Sequence, residues 1–143
     1  MIEAPSLEMY PCQREISLIF GDIDSVGHVN NVAIARFFEE GRVLLHRRIG
    51  ELRCASAASR MVLVHVEIYY LAEVEYPGHV LLGAGLCRVG RTSIEHRAGL
   101  FQDGKPVAVS RSVDVNTAAG RVGAEPLGEQ YRNAARRMIM PSC

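Results

Sequence analysis

The chain has 143 residues, a formal net charge of +0 at pH 7 and 48% hydrophobic residues. That length and composition suit one domain, residues 1–143, with a hydrophobic core of its own. The balanced charge gives no general reason to expect nucleic acid or an anionic membrane as a partner. No apolar stretch is long enough to span a bilayer, and the N-terminus lacks the pattern of a signal peptide. We therefore expect a cytoplasmic protein.

The four cysteines, Cys12, Cys54, Cys87 and Cys143, lie far apart and form no Cys-x-x-Cys pair. This spacing argues against a zinc or redox site. Two disulfides are possible on this count, but free thiols are the simpler expectation in a reducing cytoplasm. Cys87 falls in the apolar run from Leu81 to Val89, where we expect a buried and inert thiol.

The beginning of the chain predicts an irregular lead-in and one strand. Residues 1–11 contain two prolines, which discourage regular structure. A strand is predicted over about residues 14–21, because Ile16, Leu18 and Phe20 place apolar side chains on one face.

A long helix is predicted to begin near Asn30 or Asn31 and to end near Gly50. Asparagine is a favoured residue before a helix, since its side chain accepts a hydrogen bond from a first-turn N–H group. Apolar residues then follow helical spacing. They are Ile34, Phe37, Phe38, Gly41 and Leu45.

Four further strands and a terminal helix complete the predicted elements. The strands cover about residues 62–70, 80–89, 93–102 and 106–116, and the helix covers about residues 126–138. Asp103-Gly104 is a hairpin signal, and Gly83 and Gly85 suggest bulges or bends. Short turns favour an antiparallel sheet. A single apolar helix facing five such strands predicts an α+β fold in which the sheet wraps around the helix.

The segment that joins the first strand to the helix carries the strongest functional signal. Residues 21–31 read Gly-Asp-Ile-Asp-Ser-Val-Gly-His-Val-Asn-Asn. Carboxylates, a histidine and asparagines thus meet at a helix start, where unpaired N–H groups and the helix dipole favour developing negative charge. Asp22 is expected to shape the turn.

This segment, followed by Phe-Phe-Glu-Glu-Gly-Arg at residues 37–42, resembles the active-site signature of hotdog-fold acyl-CoA thioesterases of the 4-hydroxybenzoyl-CoA thioesterase-like family. The resemblance implies a hotdog fold: a five-stranded antiparallel sheet around one long helix, here with a short C-terminal helix. It implies hydrolysis of acyl-CoA thioesters without a metal or organic cofactor, and a homodimer or homotetramer. Acyl-carrier-protein thioesters are an alternative substrate, and the acyl group is left open.

The resemblance assigns Asp24 as the catalytic carboxylate, which attacks the thioester or activates water. A main-chain N–H group of Asn30 or a neighbour would hold the oxyanion, and Asn31 is placed with the substrate. Gly27 either lets the backbone approach a carbonyl or simply forms a turn. His28 either orients water or the thioester oxygen, or makes a structural hydrogen bond.

A second element of the resemblance is Gly-Arg-Thr-Ser at residues 90–93. In the family a similar sequence lines the substrate channel near the dimer interface. Arg91 is a candidate for a CoA phosphate, and Thr92 and Ser93 for the acyl or pantetheine part. An ordinary turn is the alternative.

Two other functions stay open. A hydroxyacyl dehydratase of the same fold would pair a histidine with a helix carboxylate, here His28 with Glu39 or Glu40. Another branch of hotdog thioesterases uses a helix glutamate directly, although pairing of these glutamates with nearby arginines (Arg36, Arg42 or Arg47) is the simpler expectation. The third possibility is a hotdog domain that binds acyl-CoA without turnover.

Overall fold

The structure is a computed structural model, and it describes residues 3–52, 60–117 and 123–143. The regular elements are β1 (Cys12–Ser17), α1 (Asn31–Leu52), β2 (Arg60–Tyr70), β3 (His79–Val89), β4 (Ser93–Gln102), β5 (Lys105–Thr117) and α2 (Glu129–Arg136). Short 3-10 turns cover Leu7–Met9 and Phe20–Asp22.

The strands form one five-stranded antiparallel sheet in the order β1-β3-β4-β5-β2. Helix α1 packs against β1, β3 and β4, and α2 packs against α1 and β3. The predicted α+β architecture, with one long helix against the sheet and a short C-terminal helix, is confirmed. Strand β2 is an edge of the sheet.

The core lies between α1 and the facing side of the sheet. Its fully buried large side chains include Phe37, Phe38, Leu45, Ile49, Leu82, Leu86, Ile94 and Leu100. Burial of one such side chain contributes about 1.5–3 kcal/mol, so this layer fixes the helix on the sheet.

The first strand is shorter than predicted. It ends at Ser17, and the carboxylate of Asp22 accepts a hydrogen bond of 3.0 Å from the main-chain N–H of Ile19. This contact closes the 3-10 turn in place of a continued strand. Phe20 is 78% exposed, so it does not extend the apolar face as its spacing suggested.

The prediction of bulges at Gly83 and Gly85 was wrong. Pairing with β4 is regular at both, and the register shifts between Leu86 and Arg88. A β-carbon at Gly83 would lie 2.6 Å from the ring of the buried Tyr10, so the glycine makes room for the N-terminal segment. Gly85 makes room for the C-terminal segment in the same way.

The remaining boundaries lie close to their predicted places. Helix α1 ends two residues after Gly50, and α2 is shorter at both ends than the predicted residues 126–138. The hairpin at Asp103-Gly104 is confirmed, with φ angles of 50° and 76°. Among the helices in the described ranges, none is both long and apolar enough to cross a membrane.

The expectation of free thiols was wrong for one pair, because Cys87 and Cys143 form a disulfide. The segment after α2 runs along β3. The N–H of Leu86 donates to the carbonyl of Met138, and the carbonyl of Leu86 accepts the N–H of Met140, which brings the C-terminal cysteine to the strand. Cys12 is a buried free thiol. Cys54 lies outside the described residues.

Candidate active site

The loop between β1 and α1 is fixed by Asp22. Its side chain is buried, and one carboxylate oxygen lies 2.6 Å from the Arg36 guanidinium of α1. Its carbonyl accepts a hydrogen bond of 2.7 Å from the N–H of Asn30. Asp22 therefore ties both ends of the loop to the helix and shapes the loop.

Asp24 is held differently. Its Oδ1 accepts the main-chain N–H of Val26 at 2.9 Å and, at a longer 3.4 Å, that of His28. No residue in the described ranges bonds to its other carboxylate oxygen. The side chain is half-buried. Main-chain groups thus orient this carboxylate through one oxygen and leave the second available.

Asp24 lines an open cleft of about 390 Å³ between the loop, the start of α1 and the end of β2. Ligand sites in proteins are commonly of this size and largely apolar. The other lining residues are Val29, Asn31, Ile34, Tyr70, Leu71, Ala72 and Glu73. The carboxylate therefore borders a space that admits a small acyl group.

The start of α1 borders this cleft through Asn31. Asn30 caps the helix, since its Oδ1 accepts the N–H of Val32 at 2.9 Å. Its own N–H is already bonded to the carbonyl of Asp22. The N–H of Asn31 has no acceptor in the part of the chain that the structure describes, and Asn31 lines the cleft. The N–H of Asn30, which the sequence favoured as the oxyanion donor, is thus already in use, and that of its neighbour Asn31 is available.

Gly27 and His28 complete the loop. Gly27 has φ of 92°, in the left-handed region that favours glycine, and a β-carbon there would meet no atom within 4 Å. The glycine thus meets the conformational requirement of the turn, and its role in a close approach to a substrate carbonyl stays a prediction. The His28 Nε2 lies 3.0 Å from the Glu73 carboxylate, and both side chains are substantially exposed.

Arg91, Thr92 and Ser93 do not share this cleft within one chain. They lie at the β3–β4 turn, after the last residue of β3, whereas the loop of Asp24 contacts the segment that leads into β3. An eleven-residue strand spans about 34 Å. The two predicted parts of the site are therefore at opposite ends of the sheet.

The helix glutamates do not approach His28 through the contacts seen here. Glu40 pairs with Arg14 of β1 at 3.2 Å, not with the helix arginines that were expected. Glu39 is exposed. His28 therefore pairs with Glu73, which lies outside the helix, whereas a dehydratase would need a histidine paired with a helix carboxylate.

A second cleft, of about 340 Å³, is formed by β2, β4 and β5 beside the Cys87–Cys143 disulfide. It is lined by charged side chains that include Glu67, Arg97 and Arg111. It contains none of the residues predicted for catalysis, and we assign the candidate site to the cleft of Asp24.

A polar cluster that was not predicted lies farther along α1. Asp114 of β5 accepts hydrogen bonds from His46 Nε2 at 2.6 Å and from His96 Nε2 at 3.1 Å, both on the same carboxylate oxygen. Burial lowers the pKa of His96. Burial alone would raise the pKa of Asp114, but the two histidine hydrogen bonds outweigh it and hold that pKa well below its usual range.

The sequence held only a weak signal for this cluster. His96 alternates with Ile94 on the buried side of β4, and Asp114 follows Ser110 and Ser112 on the buried side of β5. A polar residue among the inward-facing residues of a strand is the signal for a buried polar cluster, because buried polar groups need hydrogen-bond partners.

Residues 19–134 match the thioesterase-like superfamily. Among curated proteins, none matches this chain. The PA5185 protein of Pseudomonas aeruginosa strain PAO1 has a similar crystal structure, with 25% identity, a TM-score of 0.82 and coverage of 97% of this chain and 99% of that one.

Two solved thioesterases are also similar. A predicted thioesterase from Bacillus stearothermophilus is 28% identical over 89% of this chain and 95% of its own, with a TM-score of 0.80. A thioesterase from Thermus thermophilus, complexed with coenzyme A and Zn, is 27% identical over 92% and 96%, with a TM-score of 0.79. The superfamily match spans most of the sequence, and the sheet and helix have the arrangement of these structures. The chain therefore belongs to the thioesterase-like superfamily of hotdog-fold proteins.

Proposed function

We propose that this protein hydrolyses acyl-CoA thioesters to a free acid and CoA in the cleft beside Asp24. Membership of the superfamily and similarity to solved thioesterases support thioester hydrolysis in general. CoA is favoured as the thiol because the similar Thermus thioesterase was crystallised with coenzyme A.

The observation that carries the proposal is the unequal use of the two Asp24 oxygens. Main-chain N–H groups of Val26 and His28 hold Oδ1, whereas Oδ2 has no partner among the described residues. A carboxylate that is oriented by the backbone and borders a cleft is placed to meet a reacting carbonyl. Asp22, only two residues earlier, is buried and bonded through both oxygens.

In the proposed reaction, the thioester oxygen accepts the N–H of Asn31 while Asp24 acts on the carbonyl carbon. If Asp24 attacks directly, a carbon–oxygen bond forms, the carbon–sulfur bond breaks and the thiolate leaves. Water then hydrolyses the resulting anhydride to the acid. If Asp24 acts as a base, it takes a proton from the attacking water and returns it to the thiolate. In both routes the positive end of α1 stabilises the developing oxyanion.

A second copy of the chain would complete the site. Ser93 of β4 pairs with Val115 of β5, and Arg60 at the start of β2 pairs with Thr117. The predicted CoA-binding turn therefore lies at the end of the sheet where β2 begins. The cleft of Asp24 lies where β2 ends, at Tyr70.

Antiparallel pairing of two β2 edges would bring these ends together. The end of one β2 would lie beside the start of the partner's β2. The partner's turn at residues 90–93, at the start of its β4, would lie two strands beyond that β2, about 10 Å across the sheet. The edge also carries many exposed apolar side chains, which a monomer seldom leaves uncovered. They are Val62, Leu63, Val64, Val66, Tyr69, Tyr70 and Leu71. We propose a homodimer through this edge, and pairing of dimers into a tetramer is the alternative.

The dimer is tested with Val66→Lys, which places a charge on the edge strand. Val43→Lys, at an equally exposed apolar position on α1, is the matched control. Analytical ultracentrifugation should show a monomer for the Val66 variant and a dimer for the control, and thioesterase activity should fall only in the former. A dimer that persists with Val66→Lys would contradict pairing through β2.

The reaction is tested with Asp24→Asn and a panel of acyl-CoA and acyl-carrier-protein thioesters, with released thiol measured by a thiol-reactive dye. Asparagine keeps an oxygen that accepts the N–H of Val26, so the loop is retained while the charge is removed. We expect a loss of about a hundredfold or more in kcat/KM. Glu73→Gln removes the other carboxylate of the same cleft and should have a much smaller effect.

The rival functions are outcomes of the same assay. Enoyl formation without thiol release would indicate a dehydratase. Tight binding of acyl-CoA without turnover by the wild-type protein would indicate a binding domain. Undiminished thiol release by folded Asp24→Asn would remove Asp24 from the mechanism.

A further inference from the structure

The cluster of His46, His96 and Asp114 joins three elements in the interior of the fold. His46 comes from α1, His96 from β4 and Asp114 from β5. One ligand atom of each lies within 4.8 Å of the other two, and the two imidazole rings are 5.3 Å apart. The side chains of His96 and Asp114 are only 2% and 4% exposed.

Two polar atoms of this cluster have no hydrogen-bond partner in the described part of the chain. They are Nδ1 of His96 and Oδ1 of Asp114, and both are buried. Native proteins leave few buried polar atoms unpaired, and a bound water or ion is a usual explanation when they do. The cluster therefore offers more coordinating atoms than its internal hydrogen bonds use.

We propose that His46, His96 and Asp114 form a binding site for a divalent transition-metal ion of the zinc class. Two imidazole nitrogens and one carboxylate oxygen are a donor set that such ions accept, at about 2.0–2.2 Å from the metal. Tetrahedral ligand atoms at those distances are roughly 3.3 Å apart. The present separations of 2.6 Å and 3.1 Å from Asp114 would therefore widen by less than about 1 Å.

Metal binding replaces the hydrogen bonds that now hold the cluster. Each histidine gives its Nε2 lone pair to the ion and keeps one hydrogen on Nδ1: a neutral ring moves its hydrogen there, and a doubly protonated ring releases the Nε2 proton to solvent. On His46, Nδ1 lies 3.5 Å from the Tyr131 hydroxyl, which is close enough to fix the ring orientation. The Asp114 carboxylate supplies one negative charge to the divalent ion.

The surroundings provide access and a small space for a further ligand. The His46 side chain is 28% exposed, which gives an ion a route from solvent. A cavity of about 10 Å³ borders His96, Ser110 and Ser112, and this is roughly the space of one water molecule. Arg42 lines the same cavity, and its positive charge opposes the ion.

The site is separate from the proposed thioesterase cleft. His46 lies fifteen positions after Asn31 on α1, a rise of about 22 Å. Of the two spaces that His96 borders, the cavity of about 10 Å³ is too small for an acyl group, and the cleft of about 340 Å³ beside the disulfide contains none of the residues predicted for catalysis. We therefore assign the ion a structural role, in which it ties α1 to β4 and β5.

The first test is calorimetric titration of the chelator-treated protein with ZnCl₂. The wild type should bind one equivalent per chain, and zinc should raise its Tm. His96→Gln should weaken binding by at least the roughly 10–100-fold that removal of an outer-shell partner costs. His79→Gln is the matched control, because His79 lies 3.8 Å from Glu15 on the exposed surface and away from the proposed dimer edge. Equal zinc binding by both folded variants would overturn the proposal.

The second test needs no variant and decides the question if His96→Gln does not fold. Crystals of the wild-type protein soaked in ZnCl₂ are measured at the zinc absorption edge. An anomalous peak among His46, His96 and Asp114 supports the site. A peak only elsewhere, for example at the His28–Glu73 pair, or no bound zinc in either experiment, overturns it.

Discussion

The two ends of α1 use polar side chains in opposite ways. At the N-terminal end, main-chain groups hold Asp24 through one oxygen, and Asp24 and Asn31 border an open cleft. In the C-terminal half, His46 and His96 both bond to one oxygen of Asp114 between helix and sheet. Each carboxylate leaves one oxygen without a partner among the described residues, but Asp24 borders an open cleft and can meet a substrate, whereas Asp114 is buried and chiefly affects stability. The two ends should therefore respond differently to mutation.

The largest expected effect on stability is that of Asp114→Ala. Its removal leaves two histidines without their acceptor, one of them fully buried, and hydrogen bonds to a charged group contribute about 1.5–3 kcal/mol each. We expect the free energy of unfolding of the metal-free protein to fall by about 3–5 kcal/mol in urea titrations. Asp24→Ala removes a partly exposed acceptor of the Val26 N–H that water can replace, so it should cost less than about 1 kcal/mol while abolishing most activity. Similar costs for both variants would remove the distinction between the two ends.

Asp22→Asn tests the same distinction within one loop. The substitution keeps an oxygen for the Ile19 N–H but removes the ion pair with Arg36, whose side chain is half exposed and therefore screened by water. We expect a loss of about 1–2 kcal/mol, seen as a lower Tm, and a smaller loss of activity than for Asp24→Asn. Glu40→Gln, which removes the exposed Arg14 pair, is the control and should change stability by at most about 0.5 kcal/mol. If Asp22→Asn lowers activity as far as Asp24→Asn without destabilising the protein, both carboxylates belong to the chemistry.

Gly27→Ala tests whether the shape of the loop depends on its turn. At φ of 92° a β-carbon is strained although no neighbour is near, and the expected cost is about 1–2 kcal/mol. Gly21→Ala places a β-carbon in ordinary contact with Ile19 at 3.9 Å and should be tolerated. Thermal unfolding of both variants measures the difference, and equal stability would show that the loop relaxes around position 27.

The elements that were predicted well are those that local patterns determine. The bounds of β4 agree at both ends, because the turn at Asp103-Gly104 and the glycine at position 90 are signals within the strand's immediate sequence. The end of β1 was missed because the chain turns where the Asp22 carboxylate accepts the Ile19 N–H, and Arg36 of α1 holds that carboxylate in place from outside the strand. Spacing within one strand cannot report such a contact.

The candidate sites show the same division. Asp24 and Asn31 are seven positions apart, so one motif identifies both, and the structure brings them to one cleft. His46, His96 and Asp114 belong to three separate elements, and no spacing rule joins them. On β5 the valines and the Ser–Asp series alternate, and sequence alone does not tell which series faces the helix. Which series faces the helix is determined only when the sheet packs against α1.

The smallest expected effect is that of His28→Gln. This variant tests whether the imidazole of His28 takes part in the reaction or only pairs with Glu73. His28 meets the exposed Glu73 carboxylate, and pairs of this kind contribute less than about 1 kcal/mol to stability. Because this contact turns the imidazole toward Glu73, while the main-chain N–H of His28 still reaches Asp24, the variant should retain the loop and lose less than about tenfold in kcat/KM. The measurement is the thiol-release assay used for Asp24→Asn, with Glu73→Gln as the control for loss of the pair. A loss as large as that of Asp24→Asn, absent from Glu73→Gln, would instead place the imidazole beside the carboxylate in the reaction.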